Sequence, residues 1–323
     1  MSRNHRHSHA CSRHHDEAQG RSALTPALFR KFQELIYKEA GIWLAEHKHA
    51  LLTGRVARRL RLLGLNGMQE YHDLITQPDQ LHERAVMIDC ITTNETHFFR
   101  EPRHFDFLSQ NVFPKWHHEA ATGGRPTRLR VWSAGCSSGE EPYSLAMLLL
   151  KHFPEERGWG LEVLATDIST RVLEKARAAV YPIEKSKDIP PEYLRAYMLK
   201  GRGERSGVMK VRPELHRLVR FARVNLHADV YPIQGFFDVI FCRNVLIYFD
   251  QKSKKKVIGG ILRHLSPSGL LFVGHSEHLG GISPDLKTVA PTVHALCPAN
   301  TELSQRRSEW RSTFYSNLNL GEL

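Results

Sequence analysis

The sequence predicts an α/β protein with a small all-helical N-terminal segment, a doubly wound parallel sheet, and a small antiparallel insertion within the sheet domain. Three observations lead there. Residues 24–95 carry apolar side chains at helical spacing. From residue 128 onward, apolar strand-like runs alternate with amphipathic helical ones, which is the pattern of a parallel sheet covered on both faces. Residues 181–226 break that alternation with glycine turns (Gly201, Gly203, Gly207) before short strand-like runs.

In chain order, Phe29, Phe32, Leu35 and Ile36 recur at three- and four-residue steps and predict a helix beginning near Thr25. "HKHALLTGRVARRLRLLGL" gives a second helix. Leu52, Val56, Leu60 and Leu63 share one face, with Arg55, Arg58 and Arg61 roughly opposite. "MQEYHDLIT" and "LHERAVMIDCITT" read as two more short helices. Residues 101–127 read as a connector, in which "EPRHFDFLSQNVFPKW" can hold a helix and "HHEAATGGRPTR" is loop-rich. Strands are expected at "LRVWSAG", "LEVLATDIS", "FFDVIFC" and "SGLLFVGHSE". Helices are expected at "EEPYSLAMLLLKHF", "TRVLEKARAAV" and "QKSKKKVIGGILRHL".

The 323 residues suffice for two domains. Hydrophobic content of 41% and charged content of 24% read as a soluble globular chain. No apolar run approaches the roughly 18 residues of a membrane span, and the N-terminus lacks the apolar core of a secretory signal. Five dispersed cysteines (Cys11, Cys90, Cys136, Cys242, Cys297) fit a reducing, cytoplasmic setting. His5, His7, His9, His14 and His15 crowd a polar tail over residues 1–23. The tail reads as disordered, and its spacing matches no closed zinc site. A net charge of +11 points to an acidic partner without choosing its class.

The turn between the first strand and its helix, "VWSAGCSSGEEPYSLA", carries the chemistry. Ser133, Ala134, Gly135, Ser137, Ser138 and Gly139 are small, so backbone can approach a ligand closely. A phosphate-binding loop needs a lysine here, and Glu140 and Glu141 would repel a pyrophosphate. A ligand with a cationic end and no phosphate suits the turn, and S-adenosylmethionine meets both conditions. Asp167 ends the next strand, 28 residues beyond Gly139, where a carboxylate can accept ribose hydroxyls. Its alternative role is to cap the following helix.

Taken together, "TTNETHFFRE", "VWSAGCSSGEEPYSLA", "ATDIST..VLEKA", "VNL", "FDVIFCRNVLIYFD", "GLLFVGHSE" and "TVHALCP" resemble the CheR family of chemotaxis receptor glutamate methyltransferases. The match covers about residues 24–298. The resemblance implies a helical receptor-docking domain over 24–100 and a Rossmann-like class I methyltransferase domain over 128–298. The insertion at 181–226 would be a β-subdomain, and 299–323 an extension beyond the family core. It places Asn94, Thr96, Arg100, Glu141, Asp167, Asn225, Leu226, Arg243 and Asn244 around S-adenosylmethionine. It places Tyr248 near the methyl group, and Arg100 and Tyr248 at the reacting carboxylate. Arg55, Arg58, Arg59 and Arg61 would dock a receptor's helical bundle. The 201–211 hairpin would grip a receptor tail peptide, as in some members. The expected partner is a chemoreceptor cytoplasmic domain, reached by a monomer that does not itself insert into the membrane.

A glutamate side chain has a pKa near 4.3, so it is already a nucleophile at neutral pH and needs no general base. Arg100 and Tyr248 are the candidates for holding it. Arg100 could instead form a structural salt bridge, and Tyr248 could be a packed aromatic. His275 reads as a structural histidine at a strand end. No metal site is expected. A nucleic-acid methyltransferase fits poorly, since "RNVLIYF" lacks the prolines of an amine-holding motif. A noncatalytic module fits poorly because the whole set of site residues is present.

Overall fold

The computed structural model describes residues 24–297. The expectations for the histidine-rich tail and for the extension at 299–323 lie outside the described residues. Two compact units divide between Thr93 and Asn94, so residues 94–100 group with the second.

Among the described residues the first unit holds four α-helices: α1 (Pro26–Ala40), α2 (His49–Leu63), α3 (Met68–Ile75) and α4 (Leu81–Ile91). Thr25 Oγ1 caps α1 by accepting from the Leu28 amide at 3.2 Å, and Pro26 takes the first helical position, where no amide is needed. Gly41, at φ 70°, ends the helix in the left-handed region. The predicted apolar faces meet in the core, with Phe32, Ile36, Leu52, Val56, Tyr71 and Ile75 fully buried. A buried acid, Glu83, sits among them. Arg59 holds it from Nε at 2.8 Å and from the second guanidinium nitrogen, and the Tyr71 hydroxyl donates at 2.9 Å. Burial pushes the Glu83 carboxyl up, but these donors outweigh it and leave the group below the usual carboxylate range.

The second unit opens with α5 (Arg103–Phe107), a wide π turn at Leu108–Val112, and α6 (Phe113–Ala121). Helix therefore runs through "HHEAA", which the sequence suggested was loop. The wide turn lies just before Pro114, whose ring cannot sit in a regular helix interior.

The sheet strands are β1 (Arg128–Ala134), β2 (Gly160–Asp167), β6 (Val219–Arg223), β7 (Phe237–Cys242), β8 (Leu265–Val273), β9 (Leu286–Ala290) and β10 (Val293–Leu296). Their spatial order is β6-β2-β1-β7-β8-β10-β9. Neighbours from β6 to β8 pair in parallel, and β10 runs antiparallel to both of its neighbours. Helices α7 (Glu140–His152), α8 (Thr170–Ala178) and α11 (Gln251–Leu262) connect the strands. With both faces covered, the central strands are apolar along nearly their whole length, from Leu129 and Val131 in β1 to Val239 and Phe241 in β7. From β1 the chain first winds outward to β2 and β6, then returns to lay β7 on the other side of β1. That reversal is the switch point where such sheets bind ligands, beyond the carboxyl ends of the strands.

The insertion between β2 and β6 holds β3 (Val180–Pro182), α9 (Pro191–Tyr197), β4 (Met198–Lys200) and β5 (Val208–Val211). They form an antiparallel sheet in the order β3-β5-β4. Helix α10 (Pro213–Leu218) then leads back to β6. The stretch expected as an insertion at 181–226 therefore also contains a strand of the main sheet, since "VRFAR" pairs in parallel with β2. No described helix is long and apolar enough to cross a membrane.

Candidate functional site

At the switch point the turn after β1 is fastened to the end of β2. The amides of Gly135 and Cys136 both donate to Thr166 O, at 2.7 and 2.8 Å. Gly135 has φ 85°, and a Cβ there would lie 2.4 Å from Val245 Cγ2. Gly139 has φ 98°, and a Cβ there would lie 2.8 Å from the Tyr181 hydroxyl and 2.9 Å from Ala176 Cβ. Glycine is required at both on conformational and steric grounds.

Asp167 organises this turn. It is 8% exposed, and it accepts from the Ser137 amide (2.9 Å) and the Ser169 amide (2.9 Å), one at each carboxylate oxygen. Capping of α8 falls to Ser169, whose hydroxyl accepts from the Val172 amide. Ser137 Oγ donates to Asn94 O at 2.9 Å, which fixes the 94–100 segment against the turn. The chain after β6 enters beside Asp167, with the Val224 amide 3.0 Å from Asp167 O. Asn225 Oδ1 then accepts from the His227 amide, and Leu226 O accepts from Tyr231 at 2.7 Å.

The two adjacent acids do different work. Glu140 is fully buried, accepts from Ser138 Oγ at 2.7 Å and pairs with Lys185 of the insertion. Lys185 also donates to Thr96 O at 3.2 Å. Glu141 accepts from Ser133 Oγ at 2.7 Å and from Arg243 at 3.2 Å. The Arg243 side chain is 1% exposed and lies between Glu141 and Glu101, which it reaches at 3.0 Å, while also donating to Arg100 O. Burial pushes the Glu141 carboxyl up against the pull of Arg243. Burial pushes Glu101 up too, but Arg243 and the His275 amide outweigh it and hold Glu101 low.

Asn244, at φ 58°, donates its amide to Glu277 at 2.8 Å and its side-chain nitrogen to Glu101 at 3.4 Å. Glu277 also accepts from the amides of Gly274 (2.7 Å) and Ile247 (3.2 Å), so it ties the loop after β7 to the end of β8. Tyr248 follows on that loop, half-buried in a single 3-10 turn. Arg100 donates to Glu95 O at 3.0 Å and forms no ion pair among the described residues.

The structure thus brings Asn94, Thr96, Arg100, Glu141, Asp167, Asn225, Leu226, Arg243, Asn244 and Tyr248 to one end of one sheet. Arg243, expected at the cofactor, has its guanidinium engaged by protein oxygens. Three site residues went unassigned in the sequence: Glu101, Lys185 and Glu277. Glu101 and Glu277 lie inside quoted motifs ("FFRE", "GHSE"), whereas Lys185 carried no local signal. The four arginines of α2 lie in the other unit. There Arg55 donates to Ile91 O and Thr93 Oγ1 and Arg59 is bound to Glu83, while Arg58 and Arg61 are exposed.

The residues suit S-adenosylmethionine. A carboxylate has about four acceptor sites, so Asp167 can take ribose hydroxyls in addition to two amides, and Glu141 can take an ammonium in addition to its two donors. The two glycines hold the turn where backbone can approach. Family comparison settles the kinship. The SAM-binding domain of CheR methyltransferases matches residues 94–295, and the all-alpha domain of the same family matches residues 27–92.

The chain belongs to the CheR methyltransferase family.

This CheR chain is 42% identical to the chemotaxis protein methyltransferase of Escherichia coli K12 over 277 residues, covering 85% of this chain and 93% of that one. It is 40% identical to the Salmonella typhimurium enzyme, covering 85% and 92%. It is 37% identical to chemotaxis protein methyltransferase 2 of Pseudomonas aeruginosa, covering 83% and 92%. Its fold is that of a SAM-dependent methyltransferase with an all-helical N-terminal domain, and its cofactor is S-adenosylmethionine.

Proposed function

We propose that this CheR enzyme methylates glutamate side chains of chemoreceptor cytoplasmic domains, forming glutamyl methyl esters. The observation that carries this reading is Arg100. It is a half-buried cation beside the cofactor turn that forms no ion pair with a carboxylate among the described residues, and it therefore suits an incoming carboxylate.

Asp167 and Glu141 would hold the ribose and the amino group, with Asn94, Asn225 and Leu226 completing the walls. Bound S-adenosylmethionine supplies an electrophilic methyl group. The substrate carboxylate is ionised at neutral pH and needs no proton removed. The protein's task is to align the carboxylate and strip its water, and well-oriented reactants gain about 7–11 kcal/mol from alignment. Arg100 would pair with one carboxylate oxygen, and the Tyr248 hydroxyl would donate to the group as it loses water. Arg243 makes the direct ion pairs with Glu141 and Glu101, and Arg100 acts on Glu141 only at longer range.

The acidic partner called for by the +11 charge is then the receptor. Arg58 and Arg61, exposed on α2, are the arginines best placed to meet a receptor bundle. The edge strand β4 of the inserted sheet could take a receptor tail peptide as an added strand.

The test is peptide mass spectrometry of a purified receptor cytoplasmic fragment after incubation with the enzyme and S-adenosylmethionine. The reading expects added methyl groups on glutamates. Methyl groups on lysine or on the amino terminus alone, or no transfer, would reject it.

A further inference from the structure

Beside Glu101 lies a second cluster that the transfer reaction does not use. His104 on α5 and His275 after β8 both line a cavity of about 620 Å³, which the β9–β10 turn also lines. Glu101, His104 and His275 each offer one ligand atom, all within 4.8 Å of one another.

The Thr292 hydroxyl donates to Pro291 O at 2.7 Å, and its oxygen lies 2.8 Å from His104 Nε2. In the tautomer with the proton on Nε2, Nδ1 is free to act as a ligand. Nδ1 lies 3.5 Å from Glu101 Oε2. The His104 side chain is 3% exposed, and Nδ1 has no hydrogen-bond partner. A buried imidazole nitrogen without a hydrogen-bond partner thus stands beside a carboxylate, and a shared cation would satisfy both. His275 Nε2 stands 3.8 Å from the same carboxylate oxygen and is half exposed toward solvent.

We propose that Glu101, His104 and His275 form a binding site for a divalent transition-metal ion such as zinc. Two imidazoles and one carboxylate are a zinc ligand set that leaves a fourth position for water, which the cavity supplies. Tetrahedral bonds of about 2.0–2.1 Å put ligand atoms roughly 3.3 Å apart, so the 3.5 and 3.8 Å separations of the two imidazoles from Glu101 Oε2 need only a small contraction. Glu101 Oε1 faces the His275 amide and Asn244, and the Arg243 contacts fall on Oε2. The ion would therefore share Oε2 with Arg243 and be coupled through it to Glu141.

The test is calorimetric zinc titration of the full chain. His5, His7, His9, His14 and His15 are replaced by asparagine, because those histidines can bind zinc themselves. One zinc per chain is expected. His275→Gln, at a half-exposed position whose loss spares the core, should weaken zinc binding at least tenfold, and His104→Gln should do the same. Crystals soaked in zinc should show an anomalous peak between the three ligand atoms. Unaltered zinc binding in His275→Gln, or no peak between the three atoms, would overturn the proposal in favour of a bridging water or proton.

Discussion

Replacing Arg243 with methionine removes the charge that holds two acids together. The side chain is 1% exposed, while Glu101 and Glu141 are 11% and 13% exposed. Its guanidinium lies 3.0 Å from the first and 3.2 Å from the second, and it also satisfies Arg100 O. Methionine keeps the length and leaves two buried carboxylates without their cation. Breaking such a buried pair costs about 3–5 kcal/mol.

The pH dependence has a definite sign. In the wild type Arg243 holds Glu101 low. In the variant, burial and the neighbouring acid push both carboxyls above their unfolded values. A group raised on folding gives its stability at low pH and loses it as pH rises. The deficit of Arg243→Met against wild type should therefore be largest at neutral pH and shrink toward acid. Urea denaturation at neutral and mildly acidic pH measures this, and adding Glu141→Gln should recover part of the loss. A deficit under about 0.5 kcal/mol, or one that grows on acidification, would refute the account of the Glu101–Arg243–Glu141 cluster.

Three more outcomes are expected. Gly139→Ala meets both a left-handed φ and atoms of Tyr181 and Ala176 below 3 Å, whereas Gly158→Ala, at φ 77°, meets nothing within 4 Å. Denaturation midpoints should show a cost of about 1–2 kcal/mol for Gly158→Ala from backbone strain alone, a larger one for Gly139→Ala, and weakened S-adenosylhomocysteine binding only in the latter. Burial pushes His104 down to about 4 from 6.5, so in the presence of a chelator its contribution is complete above pH 6.5. That contribution falls away as pH drops toward 4, by a total of order 3 kcal/mol, and His104→Gln should flatten this part of the stability profile. Arg100→Ala should lower kcat for receptor methylation by at least 100-fold with the S-adenosylhomocysteine Kd changed less than tenfold, as kinetics and calorimetry together can show.

Much of this architecture was legible in the sequence because it rests on local signals. Strand–helix alternation marked the parallel sheet, and the small residues of 133–139 marked the ligand turn. Asp167 stood out as a carboxylate ending a strand, a place that also suits a helix cap, and only the fold shows it accepting from the Ser137 and Ser169 amides. What escaped reading depends on distant partners. Glu140 looks like an acid at a helix start, yet its partner Lys185 arrives from the insertion 45 positions later. Arg243 reads as a cofactor contact until its two carboxylates come in from 142 and 102 positions earlier. Strand β6 was hidden among glycine turns and short apolar runs, and only pairing with β2 sets it apart from the insertion. Strand β9, mostly exposed at the sheet edge, has no apolar alternation to announce it.

The most direct test of the central claim is the chemical nature of the methylated product. The enzyme, tritium-labelled S-adenosylmethionine and a receptor cytoplasmic fragment should give protein-bound label that mild alkali releases as volatile methanol, because a carboxyl methyl ester hydrolyses under those conditions. Label that stays on the protein through alkali would be an amine or thioether methyl, and it would contradict glutamate as the acceptor.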